Sequence, residues 1–132
     1  MSREPVPVLL DTCIWVDALR GRPEATVVEA RRLLDEGLIV RCDVVSAELR
    51  FGLKSAERRK VLPLLEAVPN LAVTSDDWCA AADLGADLRA KGFTVPLTDL
   101  LVAVVSDRAH VKLWTTDAHF DAIGRVVRYR AG

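Results

Sequence analysis

Two kinds of stretch alternate along the chain. Short, nearly continuous apolar runs lie at Val6-Pro7-Val8-Leu9-Leu10, Leu38 to Cys42, Leu71-Ala72-Val73 and Val111-Lys112-Leu113-Trp114. Runs of this length, rich in Val and Leu and bounded by polar turns, predict strands buried on both faces. Between them apolar residues recur every three or four positions, which predicts helices. The first covers Ile14 to Leu19; the second opens at Pro23, repeats Val27, Ala30, Leu33 and Leu34, and stops at Gly37. Ser46 to Gly52 predicts a third. Ser55 is expected to cap a fourth, with Glu57 to Lys60 exposed and Val61, Leu64, Leu65 and Val68 facing inward. Ser75 is expected to cap a fifth from about Asp76 to Lys91, ended by Gly92, and Thr98 a sixth whose run Leu100 to Val105 is apolar all round. A helix of that kind belongs in the middle of a domain. Arg125 to Tyr129 is a candidate fifth strand.

Strands that alternate with helices in a short chain imply an α/β fold, a mostly parallel sheet of four to five strands with helices on both faces. The sequence shows no Gly/Ser/Pro linker, no low-complexity tract and no internal repeat, and its 132 residues, 51% of them hydrophobic, suit one core. A single domain over residues 1–132 is therefore expected.

Charge and cysteine content narrow the classes. A formal net charge of −1 excludes a global positive field, so any basic surface that holds a polyanion is local. Arg20 and Arg22, close to the segment after the first strand, and Arg50, beside Glu48, are candidates, although exposed charge on amphipathic helices also reads as a solvated face. Cys13, Cys42 and Cys79 form no C-x-x-C pair and have no zinc-spaced His, which reads as free thiols in a reducing cytosol. The apolar stretch Val6 to Leu10 is too short for a leader, and no run approaches the roughly 20 apolar residues of a membrane helix. A cytoplasmic protein is expected.

Candidate chemistry then concentrates in the acids. In open parallel sheets, ligands bind beyond the carboxyl ends of the strands, where strand order reverses. Asp11 follows the first strand, with Thr12 beside it. Asp117 follows the fourth, preceded by Thr115 and Thr116. Asp99 opens the buried helix, and Glu48 has the apolar neighbours Val44, Val45 and Leu49. Each acid alone has an ordinary use as a cap, a turn residue or a surface carboxylate. As a set at one sheet edge they would repel one another and call for a divalent cation. All-oxygen ligands favour Mg²⁺ or Mn²⁺ over zinc, and such an ion can activate water against a phosphodiester.

These residues also carry a resemblance. Leu9-Leu10-Asp11-Thr12-Cys13-Ile14-Trp15-Val16-Asp17, Val45-Ser46-Ala47-Glu48-Leu49-Arg50-Phe51-Gly52, Val95-Pro96-Leu97-Thr98-Asp99-Leu100-Leu101-Val102-Ala103 and Leu113-Trp114-Thr115-Thr116-Asp117-Ala118-His119-Phe120 resemble, in order and spacing, the motifs of PIN domains, and within them the VapC-like toxins of bacterial toxin-antitoxin pairs. The resemblance covers nearly the whole chain. It implies a PIN-like three-layer fold and an endoribonuclease with Asp11, Glu48, Asp99 and Asp117 as catalytic, metal-holding acids, supported by Thr12 and Thr115. It further implies an RNA substrate met by Arg20, Arg22 and Arg50, a homodimer, and a small antitoxin that packs near Trp15 and Phe51.

The sequence departs from the pattern at one place: some members carry a further acid two residues after the last aspartate, where this chain has His119, and the nearest extra acid is Asp121. His119, in a polar turn beside Phe120, reads as structural or solvent-facing, His110 as a connector, and Trp15 and Trp78 as packing residues. Two other classes remain open. A Mg²⁺-dependent phosphatase would have a second Asp two residues after the first, where Cys13 stands, and a non-catalytic PIN-like binding module would not need the full acid set. A phospho-receiver domain would need a Lys near Thr115 to Asp117, and none is there.

Overall fold

The computed structural model describes residues 5–130. Strands β1 (Val8–Leu10), β2 (Ile39–Cys42), β3 (Asn70–Leu71) and β4 (Lys112–Trp114) form one parallel sheet in the order β3-β2-β1-β4. β1, buried at every residue, pairs Val8 with Ile39 on one side and Leu10 with Trp114 on the other. Helices α1 (Thr12–Arg20) and α2 (Glu24–Asp35) connect β1 to β2, and α3 (Asp43–Gly52) and α4 (Ser55–Ala67) connect β2 to β3. The chain then returns across the sheet through α5 (Ser75–Ala90) and α6 (Leu97–Arg108) to β4. Because parallel crossovers are right-handed, this reversal sends α5 and α6 to the face opposite the earlier helices. The expected α/β architecture with helices on both faces is what the chain adopts.

The core is built where the periodicity placed it. Leu100 to Ser106 of α6 are all buried, and Ser106 satisfies its hydroxyl by donating to the Ala103 carbonyl at 2.9 Å. Trp114 stacks at a tilt on Tyr129, ring centroids 5.4 Å apart.

Several boundaries differ from expectation, each for a local reason. β1 begins at Val8 rather than Val6, and α1 begins at Thr12, because Asp11 caps it. α3 begins at Asp43 rather than Ser46. The Asp43 carboxylate accepts from the Asn70 side chain at 2.9 Å and from the Val73 N–H at 3.0 Å, which also explains why β3 is short: the Val73 donor goes to that carboxylate and not to the sheet. Ser55 is the first residue of α4, and the flanking position is Lys54, whose N–H meets the Glu57 carboxylate at 3.4 Å. Leu64 of the same helix is 45% exposed, unlike Val61, Leu65 and Val68. Thr74, not Ser75, caps α5, since only Thr74 has an acid three residues on to complete the reciprocal pair of bonds with Asp77. Thr98 does not cap α6; the helix opens after Pro96, whose carbonyl takes the first helical bond from Leu100. The stretch Arg125 to Tyr129 does not form a fifth strand. It reaches the sheet through a bridge of Leu113 to Arg128, with the Leu113 N–H on the Val127 carbonyl at 2.8 Å and the Tyr129 N–H on the Leu113 carbonyl at 2.8 Å.

Candidate active site at the sheet edge

Strand order reverses between β1 and β4, so the crevice beyond their carboxyl ends is where a ligand is expected. An acid follows each of these strands there, Asp11 directly after β1 and Asp117 three residues after β4. Asp11 has extended backbone (φ −68°, ψ 162°) and caps α1: its Oδ1 accepts from the Thr12 N–H at 2.9 Å. Its Oδ2 accepts from the Thr115 hydroxyl at 2.8 Å and lies 3.8 Å from Cys13 Sγ. Asp117 caps the 3₁₀ turn Ala118–Ala122 through the His119 N–H at 2.9 Å. The buried Thr115 joins the two acids, since its hydroxyl donates to Asp11 and accepts from the Asp117 N–H at 3.0 Å.

The other two acids arrive from helices. Glu48 projects from α3, and its Oε1 accepts from the Thr12 hydroxyl at 3.0 Å. Asp99, in the first turn of α6, has Oδ2 only 2.8 Å from His119 Nδ1, and the same nitrogen is 3.1 Å from Asp117 Oδ1. One potential ligand atom from each of Asp99, Asp117 and His119 lies within 4.8 Å of the others.

Electrostatics tie Asp11 and Glu48 to this group. Burial pushes the Asp11 carboxyl above its ordinary pKa, its hydrogen bonds pull it down, and the Asp117 charge pushes it up again. Glu48 is raised first by burial and then by the charges of Asp11, Asp99 and Asp117. Asp99 is raised by burial and by Asp117 and Asp11, against the hydrogen bond from His119. His119 in turn is raised, chiefly by its contact with Asp99. The structure thus places Asp11, Glu48, Asp99 and Asp117 in one electrostatic neighbourhood, with Thr12 and Thr115 each fixing one acid, while the group within 4.8 Å is Asp99, Asp117 and His119, without Asp11 or Glu48. The site is acidic, partly buried and short of positive charge.

None of the basic candidates forms an ion pair with the four acids among the described residues. Arg20 faces Glu57 at 3.9 Å and Arg50 faces Glu66 at 2.9 Å, while Arg22 is exposed and among the described residues has no ion-pair partner. Asp121 turns away to Arg128 at 3.1 Å, so it adds no acid to the cluster. Of the two residues expected to meet a partner, Phe51 is 96% exposed, whereas Trp15 is only 6% exposed. Trp15 belongs to the core because its place on α1 faces β1 and α2.

Sequence reasoning missed three participants. His119 sits inside the acid cluster, and the signal was its position two residues after Asp117 in one tight turn. Arg128 donates to the Thr115 carbonyl at 2.8 Å and so braces the loop behind the site. Nothing in the sequence announced that contact. Trp78, expected to pack, is 51% exposed and lines a cleft with Val44, Ala47, Glu48 and Thr98.

Comparison with known proteins bears on the family and the fold. The family model described as PIN domain matches residues 8–126. The chain is 32% identical over 129 residues to VapC ribonuclease Mb1587 of Mycobacterium bovis and to ribonuclease VapC11 of Mycobacterium tuberculosis, covering 94% of this chain and 96% of each relative. Among solved structures, VapBC2 from Rickettsia felis, bound to a DNA fragment from its promoter, shares the fold with a TM-score of 0.78 at 22% identity, over 92% of this chain and 96% of that one.

Proposed function

The chain belongs to the PIN-domain family, and from that premise we propose that it is a metal-dependent endoribonuclease that hydrolyses RNA phosphodiester bonds, the toxin of a toxin-antitoxin pair that checks translation or growth. The observation that carries this reading is the placement of the acids at the sheet's switch point: Thr115 links Asp11 to the Asp117 loop, Thr12 holds Glu48, and Asp99 and Asp117 meet at His119, with burial the main cause that raises Asp11, Glu48 and Asp99.

That donor set fits a hard divalent cation. It is dominated by carboxylate oxygen, among the described residues no Lys or Arg pairs with the four acids, and no thiol pair competes for the ion. Mg²⁺ or Mn²⁺ would be held by Asp11, Glu48, Asp99 and Asp117, and when bound it supplies charge for the phosphoryl oxygens and lowers the pKa of water.

The protein's own contributions are positional. Thr115 and Thr12 orient one oxygen of Asp11 and of Glu48, so the remaining lone pairs face the crevice without a search over rotamers. Arg128 and the Asp117 cap hold the β4 loop in place. Arg20, Arg22 and Arg50 supply phosphate contacts around the acidic centre, Arg22 with no ion pair to break among the described residues.

The partners follow the relatives. A small antitoxin occupies the apolar surface that includes Phe51 and the groove lined by Val27, Leu34 and Leu64, and the chain pairs with a second copy as a homodimer. Phe93 and Leu97, both near half exposed, line a groove with Gly85 that suits such pairing. Among the described residues no helix is long and apolar enough to cross a membrane. The free thiols Cys13, Cys42 and Cys79 support a cytoplasmic setting for one domain over residues 1–132.

The test is cleavage of a labelled stem-loop or single-stranded RNA by purified protein in Mg²⁺ or Mn²⁺. Cleavage should stop in excess EDTA, and Asp117→Asn should cut at least about 100-fold more slowly, equivalent to about 2.7 kcal/mol on the barrier. Undiminished cutting in EDTA would remove the mechanism.

A further inference from the structure

We propose that His119 is itself a ligand of the cation at this site, and that its nitrogen turns the site toward Mn²⁺ over Mg²⁺. The inference rests on the metal-dependent reading above and adds to it a residue that the acid pattern does not include.

The geometry is that of adjacent ligands. Around an octahedral ion with bonds of about 2.1 Å, neighbouring ligand atoms lie about 3.0 Å apart. His119 Nδ1 is 2.8 Å from Asp99 Oδ2 and 3.1 Å from Asp117 Oδ1, one separation on each side of that value. A neutral imidazole carries at most one proton on Nδ1, and that proton can point well at only one of the two oxygens. A cation among the three atoms satisfies all of them at once.

The local fold makes the ring part of the site. The His119 N–H is bound to Asp117 Oδ1 at 2.9 Å within the same 3₁₀ turn, so the imidazole and the Asp117 carboxylate are carried as one unit. The side chain is about half exposed, which leaves the ring free to exchange its hydrogen bond for an ion. His110, the chain's other histidine, follows α6 at the end remote from Asp99 and lines a different cleft with Val6, Asp107 and Lys112. Both ions suit carboxylate oxygen, but Mg²⁺ keeps its waters and resists replacing them with nitrogen, whereas Mn²⁺, a transition ion, accepts one imidazole more readily, so one nitrogen among carboxylates shifts the balance toward Mn²⁺.

The experiment is pulsed EPR on the full chain loaded with Mn²⁺, together with calorimetric titration of Mn²⁺ and Mg²⁺. Wild type should show ¹⁴N modulation from a directly bound imidazole, kept in His110→Gln and lost in His119→Gln. The His119→Gln variant should also bind Mn²⁺ more weakly by on the order of 10–100-fold while Mg²⁺ weakens much less. If wild type binds Mn²⁺ with no nitrogen modulation, or if both ions weaken equally in the variant, His119 only positions Asp99 and the proposal falls while the carboxylate site stands. If wild type binds no Mn²⁺ at all, the metal-dependent reading falls with it.

Discussion

Asp77→Asn should cost about 2–3 kcal/mol of stability, and the cost should vanish in acid. Asp77 is 2% exposed and serves two structures at once. Its Oδ2 accepts from the Thr74 N–H at 2.9 Å, closing the cap of α5, and from Arg108 Nη2 at 2.9 Å, while its Oδ1 accepts from Arg108 Nε at 2.8 Å. An amide has one oxygen for these three donors, so at least one N–H of Arg108 would face an N–H of the new side chain. Weakening the α5 cap, where the Thr74 N–H would meet at best an uncharged amide oxygen, costs up to about 1 kcal/mol, and hydrogen bonds to charged groups contribute about 1.5–3 kcal/mol each. Arg108 is 47% exposed and rehydrates when released, which discounts the second contribution and leaves about 2–3 kcal/mol. At roughly 3–5 °C per kcal/mol for a chain of this size, melting should fall by roughly 6–15 °C. The sign with pH follows from Arg108 holding the Asp77 carboxyl below its ordinary value near 3.8. A group depressed in the folded state contributes stability that is complete above the unfolded pKa and lost as pH falls through the folded one. The gap between wild type and variant in urea titrations should therefore be constant from pH 7 to pH 5 and close below about pH 4. A gap below 1 kcal/mol at pH 7, or one that persists undiminished into strong acid, would refute the reasoning. RNA cleavage per folded molecule should be unchanged, since Asp77 lies outside the acid cluster.

Two further perturbations act at or near the candidate site. Asp11→Asn keeps an oxygen for the Thr12 N–H and removes a buried charge that burial and Asp117 hold above its ordinary pKa, so the metal-free variant should melt at or above the wild-type temperature at pH 7. The advantage should shrink as pH falls through the raised wild-type pKa, and the melting rise that Mn²⁺ gives wild type should be lost; a large drop without metal would mark Asp11 as a structural cap. Arg22→Ala should raise KM for RNA and lower the salt slope of RNA binding by about 0.7, leaving metal titrations unchanged, whereas Arg50→Ala should do less because Arg50 is engaged by Glu66. Identical binding and salt dependence in Arg22→Ala would place the RNA path elsewhere.

The sheet, the buried helix and the four candidate acids near the sheet edge are legible in the order of residues alone. Those features are local or periodic: Leu9 and Leu113 sit in apolar runs, Leu100 to Val105 is apolar at every position, Asp11 directly follows β1 and Asp117 lies three residues past the end of β4. The motif order added the family, because four short patterns at fixed intervals carry more information together than any one alone. Cap choices were legible only in part. Thr74 prevailed over Ser75 through Asp77, a pattern visible in the sequence, but Pro96 rather than Thr98 opening α6 depended on how the chain enters that helix. Contact between distant segments is not written in any local pattern. Arg128 reaching the Thr115 carbonyl, Asp43 drawing the Val73 N–H out of the sheet, and His119 standing between Asp99 and Asp117 join segments that share no periodicity. Hydrophobic spacing fixes which face of an element is buried, whereas the partner of a polar side chain is set by the packing of elements far apart in the chain, and that geometry exists only once the chain has folded.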